Sequence, residues 1–245
     1  MIKNLIVNCD DFGISEGVNL AVNKAFNDGV LRSTTLMANM EYIEDAAIIA
    51  NRNPDLGVGV HLTLSAGKPL TKKDTDYVDE RGYFKKIGYY RDGGKVDLDD
   101  LYHEWKAQIE KYIEVMGHYP DHLDSHHHAQ NLPGVQDVFK RLAKEYDLPV
   151  RNNLHLNDDY PTFTFTTEFY GNDASVDKII ELCTRNEGTL EIMCHVGYVD
   201  EYIMEHSSYN IQRAKELAIM CNPRLLDFIK ENNIKLINYQ SIEKK

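Results

Sequence analysis

The chain of 245 residues lacks several features that would assign it to a specialised class of protein. No apolar run approaches the roughly 20 residues that a membrane helix needs, so we expect no membrane partner. Residues 1–4 lead straight into an apolar run and show no signal-peptide pattern. The four cysteines show no paired metal-binding spacing, and Cys9 and Cys194 lie inside apolar runs. Unpaired, buried thiols are typical of a reducing compartment, so we expect a cytoplasmic protein.

Positive charge is also scarce. The chain has 27 Lys and Arg against 39 Asp and Glu, which gives a formal net charge of −12. No stripe of basic residues interrupts this acidity, whereas nucleic-acid binding requires a basic face. We therefore expect no nucleic-acid partner, although a small phosphorylated ligand needs only one local basic pocket.

Several catalytic motifs are missing. The sequence contains no Walker loop, no GxGxxG and no GxSxG. Asp-Phe-Gly at 11–13 also occurs in the metal loop of kinases, but here no Gly-rich loop or His-Arg-Asp precedes it. Cys194 and His195 do not form a nucleophile–base pair, because neighbouring strand residues point to opposite faces.

Apolar runs alternate with segments of helical periodicity along the chain, without a Gly/Ser linker or an internal repeat. Predicted strands lie at 5–7, 30–38, 56–65, 121–128, 148–151, 189–195 and 234–237. Predicted helices lie at 16–28, 42–52, 98–116, 133–146, 175–186, 208–221 and 223–232. This alternation predicts one α/β domain over 1–245 with a parallel sheet.

Acids and histidines occur at four predicted strand ends, in a pattern that scattered structural histidines would not produce. They are the pair Asp10 and Asp11, His61, His126 and His195. The acidic pair alone is also typical of a solvated turn. However, the carboxyl ends of parallel strands share one edge of a sheet, so we expect these side chains to converge. Asp10 and Asp11 can both reach one site only if the strand stops and the chain bends there.

The fourth strand, predicted over 121–128, is unusually polar. Alternation along it would place four polar side chains on one face: His122, Asp124, His126 and His128. Imidazoles beside a carboxylate are typical of metal ligands and of the groups that orient them. Two imidazoles and one carboxylate form a hydrolytic metal site, with a second carboxylate as base and another histidine as acid. This donor set favours zinc, iron, manganese, cobalt or nickel over calcium, and magnesium stays open.

Two long stretches break the alternation, at 66–96 and 155–173. Both are rich in aromatic residues. Such segments are usually functional or mobile. Their rings either stack on a ligand or form small hydrophobic clusters of their own.

The sequence resembles the YdjC-like family of carbohydrate deacetylases, and within it the bacterial chitooligosaccharide deacetylases. The resemblance runs through nearly the whole chain in order. The matching segments are 6–15 (IVNCDDFGIS), 33–35 (STT), 59–61 (GVH), 67–71 (GKPLT), 122–128 (HLDSHHH), 169–171 (FYG) and 191–195 (EIMCH). The departures are Cys9, Thr63, Gln130 and Val196, where the family usually has Ala, Asn, His and Pro.

The resemblance implies a single-domain, seven-stranded β/α barrel and metal-dependent removal of acetyl from N-acetylglucosamine, in chitobiose or its 6-phosphate. It implies one divalent ion, magnesium or zinc, a role in chitin degradation, and a homodimer. The implied metal ligands are Asp11, His61 and His126. Asp10 is the implied base and His195 the implied acid. By analogy to the polysaccharide deacetylases, Arg151 orients the base.

Two other functions stay open from the residues. One is a metal-dependent hydrolase of the glycosidic or phosphoester bond of phosphorylated disaccharides. Lys68 would then meet a sugar phosphate, although a surface lysine needs no such role. The other is a non-catalytic sugar or sugar-phosphate binding protein, which would not need a full set of acid, base and ligands.

Overall fold

The computed structural model describes residues 1–71, 75–152 and 157–245. Seven strands form one sheet in the order β4-β3-β2-β1-β6-β5, with β7 beside β1, and every strand pair is parallel. The strands are β1 Ile2–Phe12, β2 Ser33–Leu36, β3 Gly57–Leu62, β4 Leu123–Ser125, β5 Thr164–Thr166, β6 Gly188–Cys194 and β7 Lys235–Leu236. The helices are α1 Glu16–Asp28, α2 Ile43–Arg52, α3 Ile87–Arg91, α4 Leu98–Met116, α5 Val135–Glu145, α6 Val176–Arg185, α7 Glu201–His206, α8 Ile211–Met220 and α9 Pro223–Glu231.

The central strand is β1, which is buried from Leu5 through to Phe12. Its apolar residues are covered on both faces, as expected for a strand inside a parallel α/β fold. Along one side it pairs with β6, and along the other with β7 and then β2. The carboxyl end of β1 is therefore held in the middle of the sheet.

Local signals in the sequence define the helices well. Ser15 caps α1 by accepting a hydrogen bond from the Val18 N–H. Asp97 caps α4, which ends at Gly117 in the left-handed conformation (φ 77°). The predicted boundaries of both helices are confirmed.

One predicted strand is wrong and another was missed. Residues 148–151 form only an isolated bridge, between Val150 and Leu123, because the chain turns at Asn152 (φ 50°). The edge strand β5 instead lies inside the stretch 155–173 that we predicted to be irregular. Three residues are too few for an alternating pattern to show. Residues 155–156 of that stretch lie outside the described part.

The prediction of a strand over 121–128 is also wrong at its end. The strand β4 stops at Ser125, and His126–Asn131 form a 3-10 segment in which His127 and His128 have left-handed φ values of 56° and 55°. The turn closes because the Gln130 N–H donates to the Ser125 hydroxyl at 2.9 Å. His126 and His128 therefore do not continue the alternation of His122 and Asp124.

The stretch 66–96 has little regular structure in its described part, and its residues 72–74 lie outside that part. It contains α3 and an isolated antiparallel bridge between Val78 and Phe84. Tyr77, Phe84 and Tyr90 are buried and join the core. These rings therefore form a local hydrophobic cluster, which was one of the two readings of the sequence.

The sheet forms a half-barrel, and not a closed barrel, in the part of the chain that the structure describes. Within the described ranges, its end strands β4 and β5 do not pair with each other. The parallel α/β architecture is thus confirmed, whereas the closed seven-stranded barrel is not shown.

Candidate active site

A β-bulge brings Asp10 and Asp11 into the same site. The pairing of β1 with β2 shifts register between Cys9 and Phe12, and Asp11 has a left-handed φ of 70°. An inserted residue of this kind redirects side chains. His61 Nε2 lies 3.8 Å from Asp10 Oδ2 and 3.5 Å from Asp11 Oδ1. The expected bend is present, although the strand continues to Phe12 instead of stopping.

The three predicted metal ligands converge. Asp11, His61 and His126 each place one donor atom within 4.8 Å of the others. Asp11 Oδ1 lies 2.9 Å from His126 Nδ1, yet this buried oxygen is without a well-oriented hydrogen-bond donor in the described structure. An orphaned carboxylate oxygen facing two imidazoles fits a divalent metal ion bound by one oxygen and two nitrogens.

Asp124 orients His61 towards this cluster. The two residues are register partners on β3 and β4, and His61 Nδ1 lies 2.5 Å from Asp124 Oδ1. This contact leaves Nε2 for the site, as is usual for a metal-binding histidine. Burial lowers the pKa of His61, but the carboxylates of Asp124 and Asp10 outweigh it and raise that pKa to about 10.

Arg151 is a buried cation surrounded by three carboxylates. It donates to both oxygens of Asp10 at 2.8 and 2.7 Å, and through Nε to Glu191 at 2.9 Å. Asp124 Oδ2 lies 2.9 Å from Nη1. Burial would raise the pKa of Asp10, but the charges of Arg151 and His61 outweigh it and hold that pKa well below its usual value. Asp10 is therefore ionised at neutral pH.

His195 follows directly after β6, at the strand end where it was predicted, and its side chain faces Asp10. Its Nε2 is 4.0 Å from Asp10 Oδ2. Its backbone N–H donates to Glu216 Oε2 at 2.5 Å. Burial lowers the pKa of His195 to about 4, so the imidazole is neutral at pH 7 in the metal-free protein.

Helix α8 contributes groups that the sequence did not lead us to predict. Arg213 donates to Asp11 Oδ2 at 2.6 Å, which leaves Oδ1 for the cluster. Glu216 accepts hydrogen bonds from His195 and from the Tyr209 hydroxyl, and burial raises the pKa of Glu216 to about 7. A signal was available in the sequence, because Arg213 and Glu216 are charged residues on the face of α8 that is buried. Buried charged residues are rare unless they are paired.

The fold and the site together define a parallel α/β protein with an Asp–His–His cluster at the carboxyl edge of its sheet, a donor set typical of hydrolytic metal sites. The chain belongs to the YdjC-like protein family, whose sequence model matches residues 4–231. It is 40% identical to a carbohydrate deacetylase of Clostridium beijerinckii, over 97% of this chain and 99% of the relative. It is 35% identical to a chitooligosaccharide deacetylase of Yersinia enterocolitica, over 98% of this chain and 99% of that relative.

Solved structures agree on the fold. A protein of Enterococcus faecalis, proposed to act in cellobiose-phosphate cleavage, superposes with a TM-score of 0.89 at 32% identity, covering 98% of this chain and 99% of that one. A family 4 carbohydrate esterase of Streptomyces lividans superposes with a TM-score of 0.55 at 13% identity, covering 99% and 97%. The second likeness concerns the fold alone. In the described ranges, no helix is both long and apolar enough to cross a membrane.

Proposed function

We propose that this protein is a metal-dependent N-deacetylase that releases acetate from N-acetylglucosamine units of small chitooligosaccharides, chitobiose or its 6-phosphate. The observation that carries the proposal is the convergence of Asp11, His61 and His126 beside an ionised Asp10 and a buried His195. The relatives named carbohydrate and chitooligosaccharide deacetylases support the same reaction.

Each residue has a distinct role in this proposal. A divalent ion, magnesium or zinc, held by Asp11, His61 and His126 would polarise the acetyl carbonyl and acidify a water molecule. Asp10 accepts the proton of the attacking water, while Arg151 fixes both of its oxygens. His195 delivers a proton to the sugar nitrogen as the amide bond breaks.

The acid role of His195 requires that its imidazole gain a proton after the substrate binds, because its pKa of about 4 leaves it neutral in the free protein. The carboxylate of Asp10, 4.0 Å away, favours the protonated form. Displacement of water by the substrate strengthens this attraction.

The wider setting of the activity is also a proposal. We infer one catalytic domain over 1–245 that acts in the cytoplasm in chitin degradation. The free state of all four cysteines is consistent with a reducing compartment. The homodimer stays a prediction.

Acetate release from diacetylchitobiose and from its 6-phosphate tests the proposed reaction. The protein is loaded with magnesium or with zinc, and its metal content is measured after dialysis. We expect acetate release by loaded protein and its loss on chelation. A metal-loaded protein that releases no acetate from either sugar would contradict the proposal.

Cleavage of a phosphorylated disaccharide is the second candidate, favoured by the name of the Enterococcus faecalis protein. Lys68 offers one cation for a phosphate, and its Nζ lies 4.8 Å from the centre of the Tyr83 ring. Release of phosphate or of monosaccharides, without acetate, would favour this reaction. Sugar binding without any turnover, measured by calorimetry, would instead favour a binding protein.

A further inference from the structure

Tyr170 is an exposed aromatic residue that is nevertheless held in place. Its side chain is 47% exposed, whereas the preceding Phe169 is fully buried and anchors the segment. The next residue, Gly171, donates its N–H to the Tyr209 hydroxyl at 2.8 Å. The Tyr170 ring stacks on the Tyr209 ring, with centroids 4.5 Å apart and planes 19° apart. Tyr209 therefore holds the Tyr170 ring in place, with part of that ring exposed to solvent.

This pair of rings adjoins His195. The ring centroid of His195 is 5.9 Å from that of Tyr170 and 5.4 Å from that of Tyr209. The Tyr209 hydroxyl donates to Glu216, and Glu216 also accepts the backbone N–H of His195. One hydrogen-bonded cluster thus positions both the two rings and the histidine.

We propose that Tyr170, backed by Tyr209, is a stacking platform for the pyranose ring whose nitrogen His195 protonates. The inference rests on the proposed deacetylation, in which the leaving nitrogen is bonded directly to a ring carbon of the amino sugar. That ring must therefore lie beside His195. The apolar C–H face of a pyranose complements the flat face of a tyrosine, whereas an acyclic acetamide has no comparable face.

Exposure alone would not identify a platform, because single exposed aromatic residues are ordinary on protein surfaces. Tyr119 illustrates this: it is 63% exposed, and its ring lies 6.3 Å from that of Tyr146 at 52°. Tyr119 precedes β4 and so lies towards the amino-terminal edge of the sheet, away from the strand ends that carry the site. It provides a matched control.

The test compares Tyr170→Ala, Tyr170→Phe and Tyr119→Ala in the metal-loaded full chain. One measurement is binding of the deacetylated disaccharide of glucosamine by calorimetry, which needs no turnover. The other is KM and kcat for acetate release from diacetylchitobiose. We expect Tyr170→Ala to weaken disaccharide binding and to raise KM about fivefold, because stacking of this kind is worth about 1 kcal/mol. Tyr119→Ala is expected to stay near wild type. Tyr170→Phe keeps the aromatic ring and is expected to recover most of the binding that Tyr170→Ala loses.

Unchanged disaccharide affinity in Tyr170→Ala would overturn the platform, as would failure of the wild-type protein to bind the disaccharide. The same loss for an acyclic acetamide as for diacetylchitobiose would also overturn it. Tyr170-dependent binding without acetate release would support the platform and contradict the deacetylase. If Tyr170→Ala leaves both acetate release and sugar binding unchanged, the result would support the deacetylase and contradict the platform. Thermal unfolding of each variant checks that the fold is retained.

Discussion

Two neighbouring carboxylates have different surroundings at the end of β1. Arg151 holds both oxygens of Asp10, whereas Arg213 holds only Oδ2 of Asp11. Asp11 therefore keeps Oδ1 for the histidine cluster, and Asp10 has no oxygen without a cationic partner. This asymmetry supports Asp11 as a ligand and Asp10 as the base.

Replacement of Asp10 by asparagine should separate metal binding from turnover. We expect Asp10→Asn to lower kcat for acetate release by about 10²–10⁴-fold, because the amide cannot accept the proton. Metal content after dialysis should stay at the wild-type level, since Asp10 is not one of the three converging ligands. The control is Asp28→Asn, at an exposed ion pair with Lys24. Full activity in Asp10→Asn would remove Asp10 from the role of base.

Metal binding should release a proton from His61. The pKa of about 10 means that metal-free His61 is protonated at neutral pH, whereas a metal ligand must be unprotonated. Metal affinity should therefore rise with pH as far as that pKa. Calorimetry in two buffers of different ionisation enthalpy would measure the released proton. In His61→Ala we expect weaker metal binding and no difference in heat between the two buffers from proton release. Equal heats in both buffers for the wild-type protein would contradict the prediction.

At the scale of elements, β6 leads into His195 and also contributes a second buried side chain beside the site. Its Glu191 is fully buried and joins Arg151 Nε to the Tyr239 hydroxyl, which donates to Glu191 Oε2 at 2.6 Å. Arg151 in turn fixes Asp10. Glu191, four positions before His195, is therefore linked to Asp10, the proposed base, through one intervening arginine.

Glu191→Leu tests this support. We expect kcat to fall about tenfold or more, as is typical when a group that orients the reacting residues is lost. The value of KM and the metal content should change little, because Glu191 contacts neither the substrate position nor the cluster. Glu191→Gln, which keeps an acceptor for Arg151, should recover part of the activity. The exposed Glu187, which directly precedes the same strand, gives the control Glu187→Gln. A loss of stability in Glu191→Leu without a fall in kcat would contradict the role of Glu191.

The elements also show what could be predicted from the sequence. Residues at the ends of long, strongly patterned strands could be placed, which is why Asp10, Asp11, His61 and His195 were predicted to converge. The position of His126 was predicted for the wrong reason, since a turn and not strand alternation places it. Arg213 comes from a helix 202 residues along the chain from Asp11, and tertiary contacts over such a distance leave no periodicity in the sequence.

For the molecule as a whole, side chains occupy the interior of a sheet that does not close by strand pairing in its described part. Tyr239, from the segment after β7, is buried there and stacks on His122 with centroids 3.8 Å apart and planes 8° apart. The same tyrosine donates to Glu191. The last segment of the chain thus links β4 to β6 across the interior, and Arg151 is held within the same network.

This interior leaves no room for a side chain at Gly59 on β3. A Cβ atom there would lie 2.4 Å from the His122 ring, which is fully buried against Tyr239 and cannot move freely. We expect Gly59→Ala to lower the free energy of unfolding by about 1–3 kcal/mol, the usual cost of overpacking. Urea denaturation measures this change, with Gly88→Ala as control, because a Cβ at Gly88 meets no atom within 4 Å of the described structure.

A displaced His122 would press on Tyr239, which donates to Glu191, and Glu191 in turn accepts from Arg151. Gly59→Ala should therefore lower kcat under conditions where the variant remains folded. Metal content should be retained, since neither Gly59 nor His122 is one of the three converging ligands. Wild-type stability would show that the stack at His122 is not tightly packed. Reduced stability with unchanged kcat would show instead that Arg151 is held by Asp10 and Asp124 without support from the interior.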